Sequence, residues 1–232
     1  MSWNQPSTIA AGADVRITSF LSKVYGWMFL GLLVTAGTAF VVASSPLLVQ
    51  TLIVNRVLFW ILLFGQLGLV FYLAARVEKT SPVTAATLFM IYSVSVGITS
   101  SVVLLAYTGA SVFGTFMVTA GMFGALAIFG TFTKRSLAGV GQFAMMGLIG
   151  LIIAMIVGLF WQNDALQFVI SIVGVIVFTG LTAWDAQRLK HMAVSLPDGR
   201  IGSYAVVGAL SLYLDFINLF FFLLRFLGGR RD

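Results

Sequence analysis

The chain has 232 residues, 60% of them hydrophobic and 9% charged, with a mean hydropathy of +1.06. That much apolar surface must face lipid or other helices, so the chain reads as an all-α integral membrane protein rather than a soluble domain. It has no cysteine and one histidine, His191, which excludes disulfides, thiol catalysis and Cys- or His-rich metal sites. The net charge of +6 is spread thinly over short loops, where it signals topology rather than nucleic-acid binding.

Residues 1–19 are polar and small and read as a loose or partly helical cytoplasmic tail; residues 20–232 read as one transmembrane domain. Seven apolar stretches follow: Phe20 to Ala43, Val57 to Ala75, Val83 to Tyr107, Ser111 to Phe132, Leu137 to Phe160, Ala165 to Trp184, and Ser203 to Leu227. Each is long enough to cross a hydrocarbon core of about 30 Å, which predicts a seven-transmembrane-helix bundle. The first is too long for a signal-peptide core, so no removed targeting segment is expected. The connections are short and polar: Ser44-Ser45-Pro46, Thr80-Ser81-Pro82, Gln162-Asn163-Asp164 and Pro197-Asp198-Gly199. Most of the 24 glycines lie inside the apolar stretches, where small residues let helices approach closely, but no strict GxxxG dimer motif occurs.

Basic residues orient the chain. With the N-terminus inside, cytoplasmic segments carry Arg16, Lys23, Arg76, Lys79, Lys134, Arg135, Arg188, Lys190 and Arg200, while the outer loops carry only Arg56. Seven full crossings would place Arg225, Arg230 and Arg231 outside, so the last segment is either re-entrant or followed by a translocated basic tail.

Asp215 stands near the middle of the otherwise uncharged run Ile201 to Leu224. A carboxylate at the bilayer centre costs roughly 2.5–3.5 kcal/mol on insertion scales, which makes such a residue a functional candidate. Tyr204, Gly208, Ser211, Asp215, Asn218, Phe222 and Arg225 share one stripe at helical spacing. That polar stripe should face the bundle, as helix glue or as the lining of a pathway, with Ser211 and Asn218 supporting Asp215. Arg225 lies ten residues on, about 15 Å along a helix, too far to neutralise Asp215. It is expected to snorkel to the interface.

Asp185 closes the sixth stretch in Thr182-Ala183-Trp184-Asp185-Ala186-Gln187-Arg188. Taken alone it reads as a membrane-edge acid paired with Arg188 at i+3. Taken with Asp215, across a loop of about 18 residues, it reads as half of a carboxylate pair. Two such groups out of water compete for one proton and titrate as a unit, and when ionised they offer hard oxygens to Ca²⁺. Arg76 reads either as a positive-inside anchor or as a latch on a carboxylate. Gln66 reads as an interhelical hydrogen-bonding residue. His191 reads as a solvated loop residue, and Trp60, Trp161 and Trp184 as interfacial tryptophans.

The stretch Ala209-Leu210-Ser211-Leu212-Tyr213-Leu214-Asp215-Phe216-Ile217-Asn218-Leu219-Phe220, with Leu223-Leu224-Arg225-Phe226 after it, resembles the signature of the Bax inhibitor-1 family. Asp185-Ala186-Gln187 resembles the family's Tyr-Asp-Thr-Gln, with Trp184 and Ala186 departing from it. Gln66-Leu67-Gly68-Leu69 through Arg76 resembles the second-helix pattern, with glutamine where many members carry glutamate, and Val96-Gly97-Ile98-Thr99 resembles the third. The resemblance, to a bacterial member, extends over nearly the whole chain. It implies a seven-helix fold with the last helix enclosed by the other six, in the bacterial inner membrane, and a pH-sensitive Ca²⁺ leak pathway. It makes Asp185 and Asp215 the proton-sharing, Ca²⁺-responsive aspartates, and Arg76 the latch on the first of them.

The leading expectation is therefore a Ca²⁺ leak gated by protons. Its partners are the lipid bilayer, Ca²⁺ and protons; no cofactor and no nucleic acid are required. The alternative is a regulatory membrane protein in stress survival that acts by contact with a membrane-protein partner. Intramembrane aspartyl proteases use Tyr-Asp and Gly-x-Gly-Asp. Trp184-Asp185 half matches the first and Tyr213-Leu214-Asp215 does not match the second, so the chain is not read as an enzyme.

Overall fold

A computed structural model describes residues 5–161, 163–229 and 231. Residues 1–4 of the expected tail, Gln162 of the expected turn and Arg230 of the basic C-terminus lie outside the described residues. Seven long helices account for the seven stretches: α1 (Gln5–Ala43), α2 (Arg56–Arg76), α3 (Pro82–Ala106), α4 (Gly109–Phe132), α5 (Ala138–Phe160), α6 (Asp164–Ser195) and α7 (Ile201–Leu227). There is no strand among the described residues. All seven are long and apolar enough to cross a membrane.

Two helices run past the hydropathy boundary. α1 begins at Gln5, well inside the expected tail, and α6 continues from Trp184 to Ser195 through Arg188, Lys190 and His191. Hydropathy marks where a chain leaves lipid, whereas a helix persists wherever backbone bonds and good helix formers such as Arg, Lys, Gln and Leu allow. The α6–α7 connection is thus residues 196–200, not about 18 residues, and Asp185 lies within a helix instead of at its end.

The helix starts follow local chemistry. The Asn55 side chain accepts from the Leu58 amide at 3.2 Å and starts α2. Thr108 accepts from Ser111 N at 3.3 Å and starts α4, and Asn163 accepts from Ala165 N at 2.8 Å and starts α6. Each satisfies an N-terminal amide with no intrahelical partner. Between α1 and α2, Ser45 and Pro46 open a short helical turn that passes into a π-helical turn, Val49–Val54.

The chain divides into two compact units, Met1–Val102 with Leu189–Ser211 and Val103–Arg188 with Leu212–Asp232. In the first, Thr35 donates to the Ser93 carbonyl at 3.0 Å. Gln66 donates to the Ser95 carbonyl at 2.9 Å and to Thr99 Oγ1 at 3.2 Å, the interhelical role expected of it. Arg16 donates to the Ala193 carbonyl at 2.9 Å and to the Leu196 carbonyl, a cation on backbone oxygens at the C-terminal end of α6. The start of α7 is tied to the α2–α3 turn by Ser203 donating to the Thr80 carbonyl at 2.7 Å. The nearby Arg200–Glu78 pair, 3.6 Å apart and exposed, adds little.

In the second unit, Ala144, Leu151, Val177, Phe178, Leu219 and Phe222 belong to a continuous apolar core. Phe222 stacks on Phe178 with centroids 5.8 Å apart, and it sits where a Cβ on Gly174 would lie only 2.6 Å from its ring. A Cβ on Gly130 would strike the Ala183 carbonyl, and one on Gly141 the Trp184 ring. Glycine is what lets α4 and α5 approach α6 this closely, as small residues do in lipid-embedded bundles. Trp184 is half-buried and packs on Gly141, whereas Trp60 and Trp161 are 51% and 66% exposed. At the end of α7, the Gly229 carbonyl accepts from Thr108 N at 3.2 Å, and Arg231 N donates to the Ala106 carbonyl at 3.0 Å.

Burial differs sharply between spans. In the most apolar window of α7, 61% of residues are buried, against 6% in α2.

Gly130→Val should lower the thermal unfolding midpoint of the purified protein by an amount equivalent to about 1–3 kcal/mol, the usual cost of overpacking. Gly124→Ala, where an added Cβ meets nothing within 4 Å, should leave the midpoint unchanged or raise it. Circular dichroism melts of both variants in one detergent decide this.

Candidate functional site

Asp215 lies at the middle of α7 and is 4% exposed; Asp185 lies two-thirds of the way along α6 and is 8% exposed. Both fall in the second unit. Asp185 Oδ1 and Asp215 Oδ2 are buried without a hydrogen-bond partner. A polar atom left unsatisfied out of water is costly and needs a reason.

The surroundings of the two acids differ. Arg188, one turn on in α6, brings Nη1 to 3.8 Å from Asp185 Oδ1, too long for a hydrogen bond but within ion-pair range. The Arg188 side chain is 53% exposed, against 12% for Asp185, so the cation is solvated while the acid is not. Its guanidinium also lies over the Trp184 ring, 5.5 Å from the centroid. The i+3 pairing expected of a membrane-edge acid is thus present.

The other expected residues are placed as follows. Arg76 is exposed at the C-terminal end of α2, in the first unit. Ser211 is half-buried and belongs to the first unit. Asn218 is half-buried in the second, where its amide nitrogen donates to the Leu214 carbonyl of its own helix at 2.8 Å. Arg225 is exposed and donates to Gln167 Oε1 at 3.1 Å. His191 is exposed. Among the described residues no group of three or more Asp, Glu, His or Cys side chains could hold a metal ion. Two carboxylates supply at most four oxygens, fewer than the six to eight that Ca²⁺ takes, so a calcium ion here would keep water or backbone ligands.

The chain matches the family described as inhibitor of apoptosis-promoting Bax1 over residues 17–232. It belongs to the Bax inhibitor-1 family. It is 44% identical over 218 residues to the inner membrane protein YbhL of Escherichia coli K12, covering 93% of each chain. An uncharacterized protein of Borreliella burgdorferi is 41% identical over 92% of this chain and 93% of its own length. An uncharacterized membrane protein of Streptococcus pyogenes serotype M1 is 34% identical over 95% and 96%.

One residue of this Bax inhibitor-1 family chain has a role that sequence reasoning did not assign. Gln187, two positions after Asp185, is 5% exposed. Its Oε1 accepts from Leu137 N at 2.8 Å and its Nε2 donates to the Arg135 carbonyl at 2.9 Å. One buried amide thus satisfies two backbone groups of the α4–α5 turn and ties that turn to the α6 segment carrying Asp185. The available signal was a glutamine beside the aspartate on a helix; its partner, a turn 50 residues away, is not encoded by spacing. Arg16 on the α6 terminus was read only as a topology charge.

Gln187→Leu keeps the size but strands Leu137 N and the Arg135 carbonyl. It should cost about 1–3 kcal/mol per stranded group. A drop in thermal midpoint, absent in the exposed control Gln50→Leu, checks this.

Proposed function

We propose that this chain is a pH-sensitive Ca²⁺ leak pathway of the bacterial inner membrane, gated by protonation of Asp185 and Asp215. The observation that supports it best is the pair itself: two buried carboxylates in one compact unit, each with an oxygen unsatisfied. Two ionised carboxylates at close range out of water repel, so the pair holds one proton between them. Gaining or losing that proton changes the charge at the middle of α7. A charge change at a packed helix contact biases the helix between discrete arrangements. Ca²⁺ is cargo here and meets the pair in passing.

Arg76 acts as the latch that holds the ionised form, and Ser211 and Asn218 line the face of α7 that carries Asp215. Enclosure of α7 by the other six helices belongs to this proposal, as does a cytoplasmic N-terminus. The inner-membrane location is supported by the similarity to YbhL. The end of α7 is tied to the α3–α4 turn and its start to the α2–α3 turn. These ties support a full crossing by α7, with the basic C-terminus outside.

The test is Ca²⁺ flux in proteoliposomes at several pH values. Asp215→Asn should flatten the pH dependence while the protein remains folded, and Asp185→Asn should change it as well. A pH profile identical to that of the parent in both variants rejects the pair as sensor. Absence of flux in the parent favours action by contact with another membrane protein.

A further inference from the structure

A cleft of about 470 Å³ opens at the end of the second unit where α6 begins and α7 finishes. Its volume is within the range of about 300–1,000 Å³ usual for small-ligand sites. Tyr107, Asp164, Gln167, Phe168, Arg225 and Phe226 line it. These are residues at the termini of spans, so the cleft sits at headgroup depth rather than at the membrane midplane.

Three features of its wall point to one kind of occupant. Arg225 and Asp164 are a cation and an anion in the same cleft, both exposed, and neither has an ion-pair partner among the described residues. Arg225 is nevertheless held in place: it donates to Gln167 Oε1 at 3.1 Å and lies over the Phe222 ring, 6.0 Å from the centroid. Gln167 is itself packed on α5 at Gly158, where an added Cβ would lie 3.0 Å from its amide nitrogen. Finally, Phe168 and Phe226 pack together at 5.6 Å and are 53% and 50% exposed, an apolar wall beside the charges.

We propose that this cleft binds the headgroup of a phospholipid carrying a primary ammonium, with the phosphate on Arg225, the ammonium on Asp164 and the upper acyl segment against Phe168 and Phe226. A guanidinium fixed by a second hydrogen bond is suited to phosphate, which it can grip with two N–H groups. A carboxylate beside it accepts from a primary ammonium, but a quaternary one has no N–H to offer. Tyr107 at the rim is an amphipathic side chain of the kind found at lipid headgroups. The site is remote in chemistry from the aspartate pair, and its test is independent of Ca²⁺ flux.

The experiment is native mass spectrometry of the purified full chain, mixed in detergent with equal amounts of acyl-matched phosphatidylethanolamine, phosphatidylcholine and phosphatidylglycerol. Phosphatidylethanolamine should be retained about five- to tenfold better than either other lipid, the worth of one ordinary net hydrogen bond, since the exposed Asp164 is screened by solvent. Arg225→Gln should reduce retention of all three. Asp164→Asn should abolish the preference for phosphatidylethanolamine while leaving phosphate binding in place. Arg56→Gln, outside the cleft, should change nothing. Equal retention of the three lipids by the parent overturns the proposal, and so does a parent-like preference in Asp164→Asn or parent-like retention of all three lipids in Arg225→Gln. Displacement of the lipid by free phosphoethanolamine at equal concentration also overturns it, since the aromatic wall would then contribute nothing.

Discussion

A carboxylate in the middle of a membrane helix is the constraint on which the rest of this molecule depends. Asp215 is 4% exposed on α7, and one of its oxygens has no hydrogen bond. At bilayer depth no solvent is at hand to satisfy it, so protein must surround it. That is consistent with α7 being the most thoroughly buried of the spans. A second acid, Asp185, is buried in the same compact unit. The arrangement keeps a polar conflict where an apolar core would be more stable, which is how strained functional sites differ from simple packing.

Around that conflict the helices are held by close backbone approach and by local polar closure. Gly130, Gly141 and Gly174 give up side chains so that Ala183, Trp184 and Phe222 can sit against neighbouring helices. Gln187 closes the α4–α5 turn with two hydrogen bonds from one buried amide. The ion pairs, Arg188–Asp185 and Arg200–Glu78, each have at least one exposed partner and contribute little. These contacts surround the pair on which the proposed response to a proton depends.

The seven spans were legible because lipid imposes a length and a polarity that hydropathy measures directly. Asp215 was legible for the same reason, as the one charge in an apolar run. The helix ends were not: α1 and α6 extend through polar residues that lie beyond the apolar stretches yet keep helical backbone bonds. That error inflated the α6–α7 loop and put Asp185 at a helix end. On the polar stripe of α7, Asp215 is buried, and Asn218 is half-buried and donates to its own Leu214 carbonyl. Spacing along a helix gives a face but not which partner each side chain will choose. Gln187 shows the same limit across a longer distance, because its partner is a turn on another hairpin.

The most direct measurement is an infrared titration of the carboxyl stretch in the reconstituted protein, comparing the parent with Asp185→Asn and Asp215→Asn. If the two acids share one proton, neutralising either should move the titration midpoint of the one that remains. If each acid titrates at the same pH whether or not the other is present, the pair is not coupled and the account fails.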